Sequence, residues 1–166
     1  MERYNLKIMG GRLSFQPMRN YRINIIISAV VASAVFIIVP MLNLGHETTW
    51  GALTLGIVPA LYAIYDFLFR INVTYEFDQY AETIYRKFPG LYTRKLMTFE
   101  DMYLLPVEIN GLLHYAISNK KNKYGKSYPI SHDFGSTKKD KKKQEEFETE
   151  VLAAIEAFLQ RRSARH

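Results

Sequence analysis

Two apolar stretches in the first half of the chain decide its fold. The first is INIIISAVVASAVFIIVPMLNL, residues 23–44, and the second is WGALTLGIVPALYAIYDFLF, residues 50–69. A bilayer core about 30 Å thick needs roughly 20 apolar residues in a helix, because it holds no water to bond the backbone. The two stretches therefore predict a pair of transmembrane helices joined by the short external loop 45–49.

A cleaved signal peptide is the main alternative for the first stretch. Basic residues precede it, and Ala32, Ser33 and Ala34 are small, as a signal peptidase site requires. The apolar run nevertheless continues to Leu44 and a second stretch follows at once, which a signal peptide does not explain. Helices of a soluble protein are another alternative, but both stretches lack the polar stripe that such helices show at a protein surface.

The flanks of this predicted hairpin carry the basic residues that set its orientation. Loop 45–49 contains no Lys or Arg. By the positive-inside rule the loop is external and both termini are cytoplasmic, which predicts a multi-pass protein of the inner (cytoplasmic) membrane. The flanking basic residues are Arg3, Lys7, Arg12, Arg19 and Arg22 before the hairpin and Arg70, Arg86 and Lys87 after it.

Small residues on the second stretch predict where it packs. Ala52, Gly56 and Ala60 lie four apart and share one helix face, where the backbones of two helices can approach closely. The partner of this face is either the first helix, which has small residues at positions 28, 29, 32 and 33, or another subunit. Both partners fit the spacing.

The acid within the second stretch, Asp66, needs its own explanation, since an acid in a membrane can mark a proton or ion path. Asp66 lies within a turn of the cytoplasmic end, however, and Arg70 follows four residues later on the same helix face. This spacing predicts an ion pair between the two side chains. We therefore expect the two spans to act as an anchor and not as a transport pathway.

Composition excludes several classes of chemistry. The chain has no cysteine, which excludes disulfides, thiolate metal sites and cysteine nucleophiles. Its four histidines are scattered, and it has no nucleophile-elbow serine and no glycine-rich phosphate loop. We expect no catalytic, cofactor-binding or metal-binding residues, although His132 and Asp133 form a weak acid–base candidate. The formal charge of +6 favours membrane lipids over nucleic acid as a partner.

From Ile71 onward the apolar period changes from helical to alternating. Val73, Tyr75 and Phe77 alternate with polar residues, which predicts a strand, and Asn110-Gly111 is the strongest hairpin signal in the chain. Turn residues separate the further strands. These are predicted at residues 83–88, 91–99, 102–109, 112–119 and 127–134.

A lysine cluster and an amphipathic helix end the chain. We expect the cluster in a loop and at the start of the helix, where it either contacts anionic lipid or keeps the loop solvated. Beyond it, apolar residues recur at helical spacing from Phe147 to Leu159, and a basic tail follows at 161–166. The lysine cluster consists of Lys138, Lys139, Lys141, Lys142 and Lys143.

Antiparallel strands followed by one amphipathic helix resemble the pleckstrin-homology-like (PH-like) domains of bacterial membrane proteins, which often follow a pair of membrane spans. The resemblance rests on NVTYEF, TIYRKFPGLYTRKLMTFEDMYLL, LLHYAIS and FETEVLAAIEAFL, within residues 71–160. It implies an α+β domain, an antiparallel PH-like split barrel capped by the C-terminal helix, with no catalytic residues. The turn at 78–82 is acidic here, so phosphoinositide recognition is not carried over.

Residues 1–22 form a basic cytoplasmic segment for which the sequence leaves two structures open. In one, apolar side chains such as Tyr4, Leu6 and Ile8 lie in the membrane interface. In the other, the segment forms a strand or two against the folded domain. The alternation of these residues with Asn5 and Lys7 favours a strand.

Three functions fit these expectations. The first is a small non-enzymatic membrane protein whose PH-like domain binds a protein partner or a second copy, or scaffolds a membrane assembly, through a free edge strand or the groove beside the C-terminal helix. The second is a membrane-embedded immunity protein against a membrane-acting toxin, which a neighbouring toxin gene would support. The third is a module that senses anionic lipids.

Overall fold

The computed structural model describes residues 4–42, 45–120 and 125–163 of the chain. The predicted end of the first span at Leu44 and the last part of the predicted tail, 164–166, lie outside these residues. The chain divides into two compact units, which we describe separately. One comprises residues 19–72, and the other combines residues 4–18 with the chain from Val73 onward.

Two long apolar helices make up the first unit. Helix α1 spans Arg22–Met41, and helix α2 spans His46–Asp66 and continues as a π-helical turn at Phe67–Ile71. Both helices are long and apolar enough to cross a membrane. Helix α2 begins at His46 with Gly45 as its N-cap, so most of the segment 45–49, which we expected to be a loop, is helical.

The larger sheet of the second unit, the folded domain, has five antiparallel strands in the order β1-β2-β3-β4-β5. The first two come from the N-terminal segment, and Leu13 and Phe15 of β2 are fully buried. The strand interpretation of this segment is therefore confirmed, and the interfacial interpretation is wrong. The strands are β1 Lys7–Met9, β2 Arg12–Phe15, β3 Thr74–Asp78, β4 Thr83–Phe88 and β5 Tyr92–Thr98.

The smaller sheet has the order β6-β7-β8. Asn110 and Gly111 join β6 to β7 with φ angles of 54° and 76°, the left-handed values of a two-residue hairpin turn, which confirms the predicted hairpin. The strand expected at 127–134 is shorter, because beyond it the hydroxyl of Ser131 accepts the N–H of Tyr115 at 2.8 Å in place of a backbone partner. The strands are β6 Tyr103–Ile109, β7 Leu112–Ser118 and β8 Ser127–Pro129.

The C-terminal helix runs from Lys138 to Ser163 and buries one apolar face, as predicted. Phe147, Val151 and Ile155 are fully buried on this face. The whole lysine cluster lies inside the helix, which corrects the expectation that part of it forms a loop. The helix consists of α3 Lys138–Phe147, a π-helical stretch Glu148–Leu152 and α4 Ala153–Ser163.

One aromatic core joins the two sheets to this helix. Phe147 of α3 contacts Tyr4 edge-on, with ring centroids 5.3 Å apart, and stacks on Tyr115 of β7 at 5.7 Å. The predicted α+β class is therefore confirmed for the folded domain. Within the described residues no strand of one sheet pairs with a strand of the other, and the sheets do not close into a barrel.

Candidate functional site

The five-stranded sheet has two chemically different ends. At one of them β2 ends and β3 begins: Phe15 pairs with Tyr75, and Gln16 donates to Thr74 Oγ1 at 3.3 Å. Both chain segments that lead to α1 and α2 leave the sheet here, so we call it the linker end. The opposite end carries the β1–β2 and β3–β4 turns, and we call it the acidic end.

Asp78 organises the acidic end. Its Oδ1 accepts the N–H groups of Tyr80 and Ala81 at 2.9 and 3.1 Å, and its Oδ2 lies 2.9 Å from Arg12 Nε. Burial opposes the ionisation of Asp78, but these donors outweigh burial and lower the pKa of the carboxyl. Further acids at this end are Glu82, Glu100 and Asp101.

A hairpin between β4 and β5 lies at the linker end. Thr74, the first residue of β3, pairs with Lys87, and the hairpin tip, residues 88–92, extends beyond this pair. Pro89 and Gly90 occupy the two central turn positions, and the φ of Gly90 is 76°, as a type II turn requires. Pro89 and Gly90 therefore form a tight turn at the linker end of the sheet.

The hairpin tip is apolar and open to solvent. Leu91 is 49% exposed and Tyr92 is 52% exposed, and the ring of Tyr92 stacks on Phe88 with centroids 4.6 Å apart. An open depression of about 470 Å³ is lined by residues 87–93 and Thr74. Exposed apolar side chains that lie together on a tight turn indicate a contact surface.

Four basic residues surround this tip, and we call them the basic flank: Arg86, Lys87, Arg94 and Lys95. Arg86 pairs directly with Arg94 across the two strands, and such like-charge neighbours destabilise a sheet. Lys87 Nζ lies 2.6 Å from Glu76. Arg94 and Lys95 are exposed and form no ion pair within the described part of the chain. The linker end is therefore basic where the opposite end is acidic.

The lysine cluster forms a second basic surface. Its side chains lie in the first turns of α3, where the helix dipole disfavours positive charge. Thr137 caps the helix by accepting the Asp140 N–H at 3.2 Å, and the Thr137 hydroxyl and Lys143 Nζ both donate to the carboxylate of Asp140. These hydrogen bonds lower the pKa of Asp140. The other four lysines of the cluster are exposed.

Edge strands were expected to offer a binding surface, and the structure shows how each is protected. Strands β1 and β8 have only three residues each. Strand β5 carries Arg94 and Lys95, and β6 carries Pro106, which has no N–H to donate. Short strands, charges and proline all oppose pairing with another strand.

Side chains at the tip of the β6–β7 hairpin offer a different apolar surface. Ile109 is 55% exposed and Leu112 is 42% exposed, and the two residues pair directly across the hairpin. The two-residue turn between them holds both side chains at one tip. Like the β4–β5 hairpin tip, this tip therefore presents apolar side chains to solvent.

Two tyrosine hydroxyls of the core, those of Tyr75 and Tyr115, have structural partners. The hydroxyl of Tyr115 donates to Glu148 Oε1, which also accepts Gln144 Nε2 at 2.8 Å. Burial, followed by the bond to Glu148, raises the pKa of Tyr115. Tyr75 donates to the carbonyl of Pro129 at 2.9 Å, and burial raises its pKa to about 12. The hydroxyl of Tyr75 thus links the two sheets, and that of Tyr115 links β7 to the C-terminal helix.

The structure does not assemble the acid–base candidate His132–Asp133 as a pair. Asp133 lies 3.4 Å from His114 Nδ1, while His132 is buried with its ring 4.4 Å from that of Phe134. Sequence neighbours on an extended chain point in opposite directions, which explains the difference. In the part of the chain that is described, no group of three His, Cys, Asp or Glu side chains could hold a metal ion.

In the helical unit, Gly56 of the expected packing face lies against α1. A Cβ added to Gly56 would lie 2.8 Å from Val35 Cγ1, and Gly56 is buried. Ala52 and Ala60 are half-buried. On α1, Ala32 is 5% exposed.

The predicted ion pair between Asp66 and Arg70 is confirmed. Arg70 Nη1 lies 3.4 Å from Asp66 Oδ1, and Asp66 is 1% exposed. The same guanidinium lies over the ring of Tyr21 at 5.2 Å and donates to the Tyr62 hydroxyl at 3.4 Å. The buried carboxylate thus has a fixed cationic partner within its own unit.

The sequence identified the lysine cluster but missed the hairpin tip and the contrast between the two ends of the sheet. One local signal was present, because Pro89-Gly90 stands between two aromatic residues with basic residues on both sides. The shared end of β2, β3 and the hairpin tip depends on strand register, which the sequence does not reveal.

Comparisons with known protein families, with curated proteins and with solved structures gave no match.

Proposed function

We propose that this chain is a non-enzymatic, two-span protein of a bacterial inner membrane, with both termini and its folded domain in the cytoplasm. The domain binds a protein partner or a second copy of the chain, and so scaffolds a membrane assembly. The observation that carries this proposal is the pairing of β2 with β3. One strand precedes both apolar helices and the other follows them.

This pairing supports a membrane hairpin because a single sheet lies on one side of a bilayer. If α1 and α2 cross the membrane, they cross together, and the chain returns to the side from which it came. The surface of α1 also suits lipid, since Ala32 is its one buried residue and side chains such as Ile37, 63% exposed, surround it. The basic flanks favour the cytoplasm as the side of the domain.

The order of elements supports a PH-like architecture for the domain. An antiparallel meander is followed by a second antiparallel sheet, and one C-terminal helix packs on the core that the two sheets share. The N-terminal strands β1 and β2 extend the first sheet beyond the strands on which the resemblance rests. This fold is a binding scaffold, and its function resides in its exposed surface.

The β6–β7 hairpin tip is the surface that best suits a protein partner. Its exposed pair Ile109 and Leu112 is apolar, whereas the buried hydroxyls of Tyr75 and Tyr115 are engaged in hydrogen bonds within the fold. Protein interfaces concentrate binding free energy in a few side chains that become fully desolvated at the centre of the contact. The protected edge strands make strand addition the less favourable mode.

Purification in a mild detergent tests the binding function. We expect the full chain to retain a stoichiometric partner or a second copy, and the double change Ile109→Ser and Leu112→Ser to release it. The matched control is Thr149→Ser, at an exposed position of the C-terminal helix. Recovery of a lone monomer from the unchanged chain, or a partner that the double change retains, would contradict the proposal.

Contact with anionic lipid is a second candidate function, and the lysine cluster favours it. Positive charges in the first turns of a helix oppose the dipole, and an anionic surface would relieve this cost. A fragment beginning at Ile71 would lack β1 and β2, so the test uses the full chain in vesicles. We expect energy transfer from a dye at Ser136→Cys to acceptor lipids to rise in anionic vesicles and to fall with salt.

Changing Lys138, Lys139, Lys141 and Lys142 together to Gln should remove the lipid-dependent part of this transfer. The same transfer in neutral and anionic vesicles would rule out the lysine cluster as a lipid contact. Each basic residue near an anionic surface contributes about 1 kcal/mol, and the attraction fades over a Debye length of about 10 Å at 0.1 M salt.

A further inference from the structure

We propose that the β4–β5 hairpin tip is a membrane anchor: Leu91 and Tyr92 insert into the interface of an anionic leaflet, and the basic flank binds lipid phosphates. This inference rests on the proposed membrane insertion of α1 and α2, and it adds a lipid contact that is separate from the lysine cluster. The occupant of the hairpin surface is the bilayer itself.

The first argument is the position of the tip in the sheet. Thr74 pairs with Lys87, so the tip extends from the same end at which β3 begins. Only Asn72 and Val73 separate β3 from the last residue of the second apolar helical segment, Ile71. Because an extended residue spans at most about 3.6 Å, so short a connection ties this end of the sheet to the membrane once the helices insert.

The second argument is the chemistry of the tip. Leu91 and Tyr92 are exposed side chains of the kind that enter a membrane interface, where the aromatic ring is apolar and its hydroxyl remains hydrated. Pro89 and Gly90 fix the turn, so little conformational entropy is lost when the tip inserts. An apolar tip with basic neighbours is suited to an anionic lipid surface.

The third argument is the distribution of charge along the sheet. Arg94 and Lys95 are exposed and without an ion pair in the described part of the chain, and Arg94 lies opposite Arg86. A carboxylate or phosphate between these two arginines would relieve their repulsion. The acidic end, with Asp78 at its centre, lies away from the linkers, so its charge does not oppose binding at the tip.

Site-specific labelling of the full chain tests this proposal, since the chain has no cysteine of its own. An environment-sensitive dye is attached at Leu91→Cys and, as the matched control, at Ala81→Cys in the exposed turn of the acidic end. Vesicles contain either phosphatidylcholine alone or three parts phosphatidylcholine to one part phosphatidylglycerol. Lipids carrying a headgroup quencher report the depth of each dye.

We expect the dye at Leu91→Cys to be quenched and blue-shifted in the anionic vesicles, and the dye at Ala81→Cys to remain in water. The double change Arg94→Gln and Lys95→Gln should shift the ratio of inserted to water-exposed tip about 25-fold toward water at low salt, because each lost charge should weaken insertion about 5-fold. The charge-matched control Lys120→Gln and Lys126→Gln, at two exposed positions between β7 and β8, should leave quenching unchanged.

Two results would overturn the proposal while leaving the membrane protein intact. One is equal, water-like emission from both dyes in vesicles with which the protein co-floats on a density gradient. The other is quenching that the Lys120/Lys126 control weakens as much as the Arg94/Lys95 change does. A chain that fails to co-float with vesicles at all would instead refute the proposed membrane insertion and, with it, the hairpin anchor.

Discussion

At the scale of single residues, Asp78 tests the electrostatics of the folded domain. Asp78→Asn keeps an oxygen for the N–H groups of Tyr80 and Ala81 but loses the charge that pairs with Arg12. Because Arg12 is 55% exposed, we expect a loss of at most about 1 kcal/mol. Asp78→Ala also leaves the turn N–H groups without their acceptor and should cost about 1–3 kcal/mol. Chemical denaturation in micelles measures both.

The lowered pKa of Asp78 gives this residue a pH signature. The folded state favours the ionised carboxyl, so its contribution to the free energy of unfolding is present above the ordinary pKa of about 4 and is lost as the pH falls through the lowered value. The Asp78→Asn protein should therefore lose less stability on acidification than the unchanged protein. Parallel acid profiles for the two proteins would contradict the lowered pKa of Asp78.

Gly56 tests the packing of the two apolar helices. A methyl group at this position meets Val35 Cγ1 at 2.8 Å, which is shorter than real contacts allow. We expect Gly56→Ala to destabilise the helix pair by about 1–3 kcal/mol, as overpacking does. The matched control is Gly51→Ala on the same helix, where the added methyl meets nothing within 4 Å. Thermal melting in micelles should separate the two, and equal melting temperatures would refute the contact.

At the scale of elements, the lysines of α3 oppose the helix that carries them. We expect Lys138→Glu with Lys139→Glu to stabilise the folded domain by about 0.3–1 kcal/mol per residue through the helix dipole, while weakening contact with anionic lipid. Lys126→Glu in the loop before β8 is the control for charge alone. Chemical denaturation measures the change in stability, and energy transfer to labelled lipids measures the change in lipid contact. A destabilised domain would contradict the predicted effect of the helix dipole.

The elements differ in how well the sequence predicts them. Strands β4 to β7 could be predicted from the sequence, because alternating apolar residues and turn residues act locally. Asn110-Gly111 defines its hairpin by backbone conformation alone. Strands β1 and β2 are three and four residues long, so their alternation was too brief to decide between a strand and a membrane-interface segment. Thr137, directly before the lysine cluster, is a typical N-cap residue, so the sequence did contain a signal that the cluster lies inside a helix.

At the scale of the whole molecule, one pairing matters most and is the least predictable from sequence. Phe15 of β2 pairs with Tyr75 of β3, yet both apolar helices lie between these residues in the chain. Pairing over such a separation has no local signal, since only the shared core selects it. The pairing of β2 with β3 defines the linker end, and the candidate surface at the β4–β5 hairpin tip is located by it. No sequence motif marks either feature.

The central claim is that both apolar helices cross the membrane together and return the chain to one cytoplasmic domain. Single cysteines in this cysteine-free chain test it most directly, at Lys7→Cys before the helices, Thr48→Cys in the first turn of α2 and Ser136→Cys after the helices, all at exposed positions. In intact spheroplasts, a membrane-impermeant maleimide should label Thr48→Cys alone, and lysis should expose the other two. Labelling of Lys7→Cys and Ser136→Cys from opposite sides of the membrane would contradict the account.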